Sequence, residues 1–290
     1  MHKNKDQAAG IRNMNKLKPV RVIAIASGKG GVGKTNLSVN LGVSMSKMGR
    51  QVVLLDADMG LANVDVLLGL RPEFNLSHVL TGEKTLSEIM LQGPSGLNII
   101  PASSGVQKMS DLSNIEQSAI IHAFSEIDQN IDVLLVDTAA GISPSVVNFA
   151  RACQDVIVVV CDEPTSLTDA YAFIKLLNRD YGINHFHVLS NMVRSMQQGQ
   201  VLFNKLTKVT DRYLDVTLQF AGAIPFDEDL RKSVQKQSAV IETYPNSKAA
   251  IAIKDIARRI DNWPIKTQSD GYLEFFVERM IEYSAQEAVA

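Results

Sequence analysis

The chain has 290 residues, 46% of them hydrophobic and 21% charged, with a formal net charge of −2. This is the balance of a globular protein able to build its own core, so neither disulfides nor a structural metal are required, and the length suggests one large domain or two small ones. With no overall basic field to hold nucleic acid by counterion release, direct sequence-specific nucleic-acid binding is not expected.

Residues 1–20 are polar and without periodicity, and read as a mobile arm ending at Pro19. Short runs rich in Val, Ile and Leu follow at 22–26, 52–55, 97–100, 133–136, 156–161, 186–189 and 220–224. Such runs fit strands buried on both faces, as in a parallel sheet. Helices are predicted at 36–48, at 115–127 behind an N-capping Ser113 with Glu116 in the first turn, and at 167–181 ending at Gly182. Strand and helix alternating at this spacing predict an α/β fold, a doubly wound and mostly parallel sheet with helices on both faces. A single large domain is expected over 21–264. Residues 265–290 then hold a polar linker (265–270) and a last helix (272–283). At 100° per residue, that helix places Leu273, Phe276, Val277, Met280 and Ile281 on one face, opposite Glu274, Glu278 and Glu282. Cys153 and Cys161 are not spaced as Cys-x-x-Cys and are read as buried thiols. No apolar stretch nears the ~18 residues of a membrane span, and a cytoplasmic location is expected.

The first strand runs into Gly28-Lys29-Gly30-Gly31-Val32-Gly33-Lys34-Thr35, with Asn36 opening the helix behind it. This fits G-x-x-x-x-G-K-[ST] in the strand–loop–helix setting that the motif needs. Glycines let backbone N–H groups face the phosphates, Lys34 neutralises the β- and γ-phosphates, and the Thr35 hydroxyl ligates Mg²⁺. The second apolar run ends in Asp56-Ala57-Asp58 and the fourth in Asp137-Thr138-Ala139-Ala140-Gly141. Strand ends of an open parallel sheet face the ligand crevice, where acids hold Mg²⁺ ligands or orient water.

Lys29, a second lysine at the head of the loop, makes it resemble the deviant Walker A loop of the MinD/ParA ATPases. The resemblance covers roughly 20–260. It implies that Lys29 crosses a dimer interface to the partner's nucleotide, so that an ATP-bound homodimer is the working state. It places Asp56 and Asp137, with Thr35, around Mg²⁺, assigns Asp58 to the attacking water, and puts Gly141 near the γ-phosphate. Asn191 would read adenine, a guanine-pairing acid being absent from Ser190-Asn191-Met192-Val193. Pro225, Phe226 and Asp227 would close over the base, and Glu163 in Asp162-Glu163-Pro164-Thr165-Ser166 would contact nucleotide.

Within the family, Asp6-Gln7-Ala8-Ala9-Gly10-Ile11-Arg12 resembles the DQAxxLR activator motif of the flagellar-number regulators of the FlhG/FleN type, with Ile11 in place of Leu. Asp6, Gln7, Ala8, Ile11 and Arg12 would then activate a partner. That subgroup's partners are the signal-recognition-like GTPase FlhF, a flagellar master transcription factor of the FleQ/FlrA type, and the inner-membrane surface, where the last helix would bind lipid or dock on its own body. Missing Cys-x-x-Cys speaks against the iron–sulfur carriers of the family, and the net charge against its DNA-partition ATPases. A MinD-like division-site selector is the nearest rival, against which the arm argues. A nucleotide-binding scaffold with negligible turnover is the rival of another kind, against which Lys29 and Asp58 argue.

Overall fold

A computed structural model of the chain describes residues 19–60, 63–102, 112–127, 130–264 and 274–276. In chain order the elements are β1 (Arg21–Ser27), α1 (Lys34–Lys47), β2 (Val52–Ala57), α2 (Val64–Leu68), α3 (Leu76–Leu80), α4 (Leu86–Ile89), β3 (Leu91–Gln92), β4 (Asn98–Ile100) and α5 (Asn114–Ala123). There follow β5 (Val133–Ala140), α6 (Pro144–Arg151), β6 (Asp155–Val160), α7 (Pro164–Tyr181), β7 (His185–Val193), α8 (Met196–Tyr213), β8 (Thr217–Pro225), α9 (Glu228–Gln235), α10 (Val240–Thr243) and α11 (Lys248–Asp261).

The strands form one eight-stranded sheet in the order β3-β4-β2-β5-β1-β6-β7-β8. Every pairing is parallel except β3 with β4, a two-residue edge that the apolar-run pattern does not contain. Side chains alternate across each strand. On one face Ile23, Ile25, Leu54 and Leu135 pack with Leu37 and Leu41 of α1 and Ile253, Ile256 and Ile260 of α11. On the other, Val22, Val53, Leu134 and Val136 meet Ile120, Ile121, Phe124 and Phe149. Farther along that face Ala24, Ala26, Val156 and Val158 meet Phe173, Ile174 and Leu177 of α7. β1 lies between β5 and β6, and the chain passes from one side of β1 to the other as it runs from β5 to β6. That reversal opens the crevice at the carboxyl ends of β1, β5 and β6.

The local signals act as expected at several ends. Ser113 and Glu116 close a reciprocal capping box on α5, with Ser113 N donating to Glu116 Oε2 at 2.9 Å. Gly182, at φ 71°, ends α7 in the left-handed conformation. Elsewhere the structure corrects the sequence reading. The predicted helix 115–127 tightens to 3₁₀ at Phe124–Glu126. Cys161 is buried but Cys153 only partly so, its Sγ lying 3.1 Å from the Phe149 carbonyl. A helix running unbroken over 272–283 is not what 274–276 adopt: Phe275 and Phe276 form a turn, and Phe276 has φ 56°. Phe276 is buried rather than presented on an amphipathic face, and so is Phe275, which the helical wheel leaves aside. Their rings meet Phe124 edge-on at 5.0 and 5.8 Å, and Phe275 N donates to the Ala152 carbonyl at 3.2 Å. Neighbouring residues of a helix point 100° apart, whereas both rings here are buried against Phe124, which accounts for the departure. Leu273, Val277, Met280 and Ile281 lie outside the described residues, as do Asp6, Gln7, Ala8, Ile11 and Arg12. Among the described residues no helix is long and apolar enough to cross a membrane.

Candidate nucleotide site

β1 delivers the loop to the centre of the sheet's carboxyl edge. Gly28 sits where an added Cβ would lie 2.2 Å from the Asp169 backbone, so α7 can pack against the loop only if this residue is glycine. Gly33, at φ 88°, caps α1, and no side chain closes the cap. The first-turn N–H groups of α1 therefore lack a side-chain partner at the cap, and their helix dipole points at the loop, an arrangement made for phosphate. Val32 is buried in the core, so it can serve a nucleotide through its backbone alone.

Three ionisable side chains are buried at this edge. Burial pushes the Lys34 ammonium below its ordinary range, against the pull of Asp137 and Asp58. Burial raises the Asp137 carboxyl to about 6, although hydrogen bonds from Thr35 and Ser38 and the charge of Lys34 oppose it. Ser38 Oγ lies 2.9 Å from Asp137 Oδ1, while the buried Asp137 Oδ2 has no hydrogen-bond partner among the described residues. An orphaned, buried carboxylate oxygen beside a threonine hydroxyl and a phosphate loop fits an Mg²⁺ shell.

Asp56 stands beside Asp137 in the β2–β5 register. Burial, then the neighbouring Asp137 charge, lifts its carboxyl to about 8. Both its oxygens are engaged by backbone: Oδ1 accepts from Asp58 N at 3.1 Å, and Oδ2 from Asn63 N and Val64 N at 3.0 and 3.2 Å. Asp56 thus holds the turn that carries Asp58, a positioning job that the simple pairing of both acids with the cation does not include. Asp58 is close enough for its charge to act on Lys34 and Asp137.

Lys29 lies apart from this buried group. It is half-exposed; its Nζ is paired with the Glu163 carboxylate and lies 3.0 Å from Thr165 Oγ1. Glu163 therefore contacts the loop lysine of its own chain. An exposed pair of this kind is weakly held and readily exchanged.

The residues expected at the base converge. Asn191, Pro225, Phe226 and Asp227 line a largely apolar cavity of about 280 Å³ together with Gly33 and Asn36. Asn191 Nδ2 is engaged by the Val32 carbonyl at 2.8 Å, which leaves its amide oxygen as the group to accept from an adenine amine. The Asp227 carboxylate is also engaged, accepting from Asp229 N and Ala249 N, both at 2.9 Å. It caps α9, ties the first turn of α11 to that cap, and shapes the cavity wall through both. Met192, Leu230, Arg231 and Val234 also line the cavity and are not among the residues that the sequence assigns to the base. Three of these four stand on α9, whose eight residues carry too few apolar positions to announce a helix.

The ParA family model, described as the NUBPL iron-transfer P-loop NTPase, matches residues 18–261. The chain is 57% identical over 275 residues to the antiactivator FleN of Pseudomonas aeruginosa, covering 95% of this chain and 98% of that one. It is 32% identical over 268 residues to the flagellum site-determining protein YlxH of Helicobacter pylori, covering 91% and 90%. The septum site-determining protein MinD complexed with Mg-ADP from Pyrococcus horikoshii superposes with a TM-score of 0.68 at 23% identity, over 84% of this chain and 97% of that one.

The raised carboxyls make stability depend on pH with a definite sign. Unfolded aspartates titrate near ~3.9, whereas Asp137 and Asp56 keep their protons in the fold to about 6 and about 8. The fold then binds more protons than the unfolded chain across this window, so stability is full below it and is lost as the pH rises through it. The nucleotide-free protein should melt at a higher temperature at about pH 6 than at about pH 8, and Mg·ADP, which favours the ionised carboxylates, should narrow the gap. A midpoint that climbs between those pH values in the nucleotide-free protein would contradict the buried-acid description.

Proposed function

This chain belongs to the ParA/MinD family of P-loop ATPases, and we propose that it is a slow, Mg²⁺-dependent ATPase that works as an ATP-gated homodimeric switch in the control of flagellar number and placement. The observation that carries the switch is the contrast between the two loop lysines. Lys34 is buried and committed to its own site, whereas Lys29 is half-exposed and held only by surface partners. A lysine that points out of its own loop is free to neutralise phosphate charge in a second copy, as an arginine finger does in other NTPases.

Within one site, Lys34 and the α1 N-terminus hold the β- and γ-phosphates, and Thr35 with Asp137 holds Mg²⁺, which supplies positive charge against the phosphate oxygens. Asp56 fixes the backbone from which Asp58 orients the attacking water and takes its proton. Water adds at the γ-phosphorus, the bond to the bridging oxygen breaks, and ADP and phosphate leave. Slow turnover sets the lifetime of the dimer and so of the partner-competent state.

The flagellar role is supported by what two relatives are called, an antiactivator and a flagellum site-determining protein. On that reading the dimer restrains a flagellar transcription activator of the FleQ/FlrA type, and residues 6–12 stimulate the GTPase FlhF. The iron transfer of the family description is not carried over, because neither cysteine belongs to a Cys-x-x-Cys pair. Burial of Phe276 favours the docked arrangement of 274–276 over a lipid-bound one.

Light scattering with and without ATP tests the switch. Lys29→Ala should lose ATP-dependent dimers and most turnover while keeping ATP binding, whereas Lys34→Ala should weaken binding itself. Normal dimers and turnover in Lys29→Ala would end the proposal. The arm is tested separately. Deleting residues 1–18 should leave turnover intact and remove stimulation of the GTPase, and stimulation that survives the deletion would take the arm out of the account.

A further inference from the structure

The opposite, amino-terminal edge of the sheet carries a second cluster of chemistry-bearing side chains. Asp155 opens β6, and His185 and His187 stand two apart on the adjacent β7. In the parallel register Ile157 faces His187, which sets Asp155 level with His185. Two-residue spacing on a strand puts both imidazoles on one face, and the pairing puts the carboxylate on that face with them. One ligand atom from each of the three lies within 4.8 Å of the others, and His187 Nε2 is 3.4 Å from Asp155 Oδ1.

We propose that Asp155, His185 and His187 form a binding site for a zinc-type divalent cation. Two imidazoles and one carboxylate are a donor set that Zn²⁺ takes with a fourth position open to water. At bond lengths of ~2.0–2.1 Å, neighbouring ligand atoms around a tetrahedral ion lie roughly 3.3–3.4 Å apart, and the His187–Asp155 pair already has that separation. Rotation of the partly exposed His185 ring completes the triangle.

The surroundings suit a liganded cation. Arg21 Nη1 lies 3.5 Å from Asp155 Oδ2, the oxygen turned away from His187, and so steadies the carboxylate while Oδ1 stays available to a metal. Trp263 stacks on the His187 ring, with centroids 3.5 Å apart and planes 10° apart, which fixes the ring's orientation. Arg21 also donates to the carbonyls of Trp263 and Pro264. A cation here would therefore tighten the point at which the chain leaves α11 towards residues 265–290. Hard Mg²⁺, which prefers oxygen ligands and keeps its waters, belongs at the other edge of the sheet.

Trp263 is the chain's single tryptophan, so its emission reports this site alone. After treatment with chelator, ZnCl₂ titrated into the full chain should change that emission and saturate at one equivalent. Co²⁺ should give the visible absorption of a tetrahedral nitrogen–oxygen site. His185→Ala, at a partly exposed position, should fold normally and weaken Zn²⁺ binding by at least about 100-fold, a direct ligand being worth no less than an outer-shell partner, and Asp155→Asn should also weaken it. Asp137→Ala, which alters only the nucleotide edge, should leave the Trp263 response unchanged. The proposal is overturned by a flat emission trace up to millimolar Zn²⁺, by a response that survives His185→Ala with the fold confirmed by circular dichroism, or by a response lost in Asp137→Ala.

Discussion

Burial of Lys34 beside Asp137 and Asp56 is the constraint around which the rest of this molecule is arranged. Each of these groups loses solvation at the sheet's carboxyl edge, which depresses the ammonium and raises both carboxyls. Taken without ligand, such a group is electrostatically incomplete, and on the proposed function a nucleotide with its cation would supply the missing partners. The fold makes the arrangement possible because parallel strands β2, β5 and β1 deliver their ends side by side. Short-range sequence order alone would leave Lys34, Asp56 and Asp137 far apart.

The same constraint divides labour between the two lysines of one loop. A buried Lys34 has nowhere to go, while Lys29 rests against Glu163 and Thr165 at the start of α7. That helix also abuts Gly28 through Asp169 and Ala170. The segment 162–166 and the phosphate loop thus form one contact, and a change at either end is felt at the other. Asp56 plays a comparable linking part, since its two oxygens bind the backbone on both sides of the turn that bears Asp58. Glu163 and Asp56 thus both act through the segments they position.

Legibility in the sequence followed burial. Strands covered on both faces appear as runs of Val, Ile and Leu, so seven of the eight were visible; β3 was not, having two residues, one of them exposed. The phosphate loop was visible because its chemistry is contiguous. Long α8 escaped notice because it buries only Gly199, Leu202, Leu206 and Thr210 and is otherwise polar. α11 has a clear apolar stripe at Ile253, Ile256 and Ile260, but follows short helices that blur its start. The base-site residues Asn191 and Pro225 to Asp227 came from family resemblance, and they line one cavity, whereas the bonds of Asp227 to the first turns of α9 and α11 depend on tertiary placement and were invisible. Asp155 and His187 are 32 residues apart and meet only through strand register, which sequence spacing cannot supply.

The claim on which the functional account stands is that the loop lysine of one subunit completes the site of the other. Mixing two inactive variants tests it most directly. Lys29→Ala keeps Asp58 but offers no lysine to its partner; Asp58→Ala keeps Lys29 but cannot orient water. If Lys29 acts across the interface, the mixed dimer holds one complete site, and ATP turnover should reappear on mixing at a substantial fraction of the wild-type rate. If Lys29 serves its own subunit, neither site of the mixed dimer is complete, and a mixture that co-dimerises yet stays as inactive as its components would contradict the account.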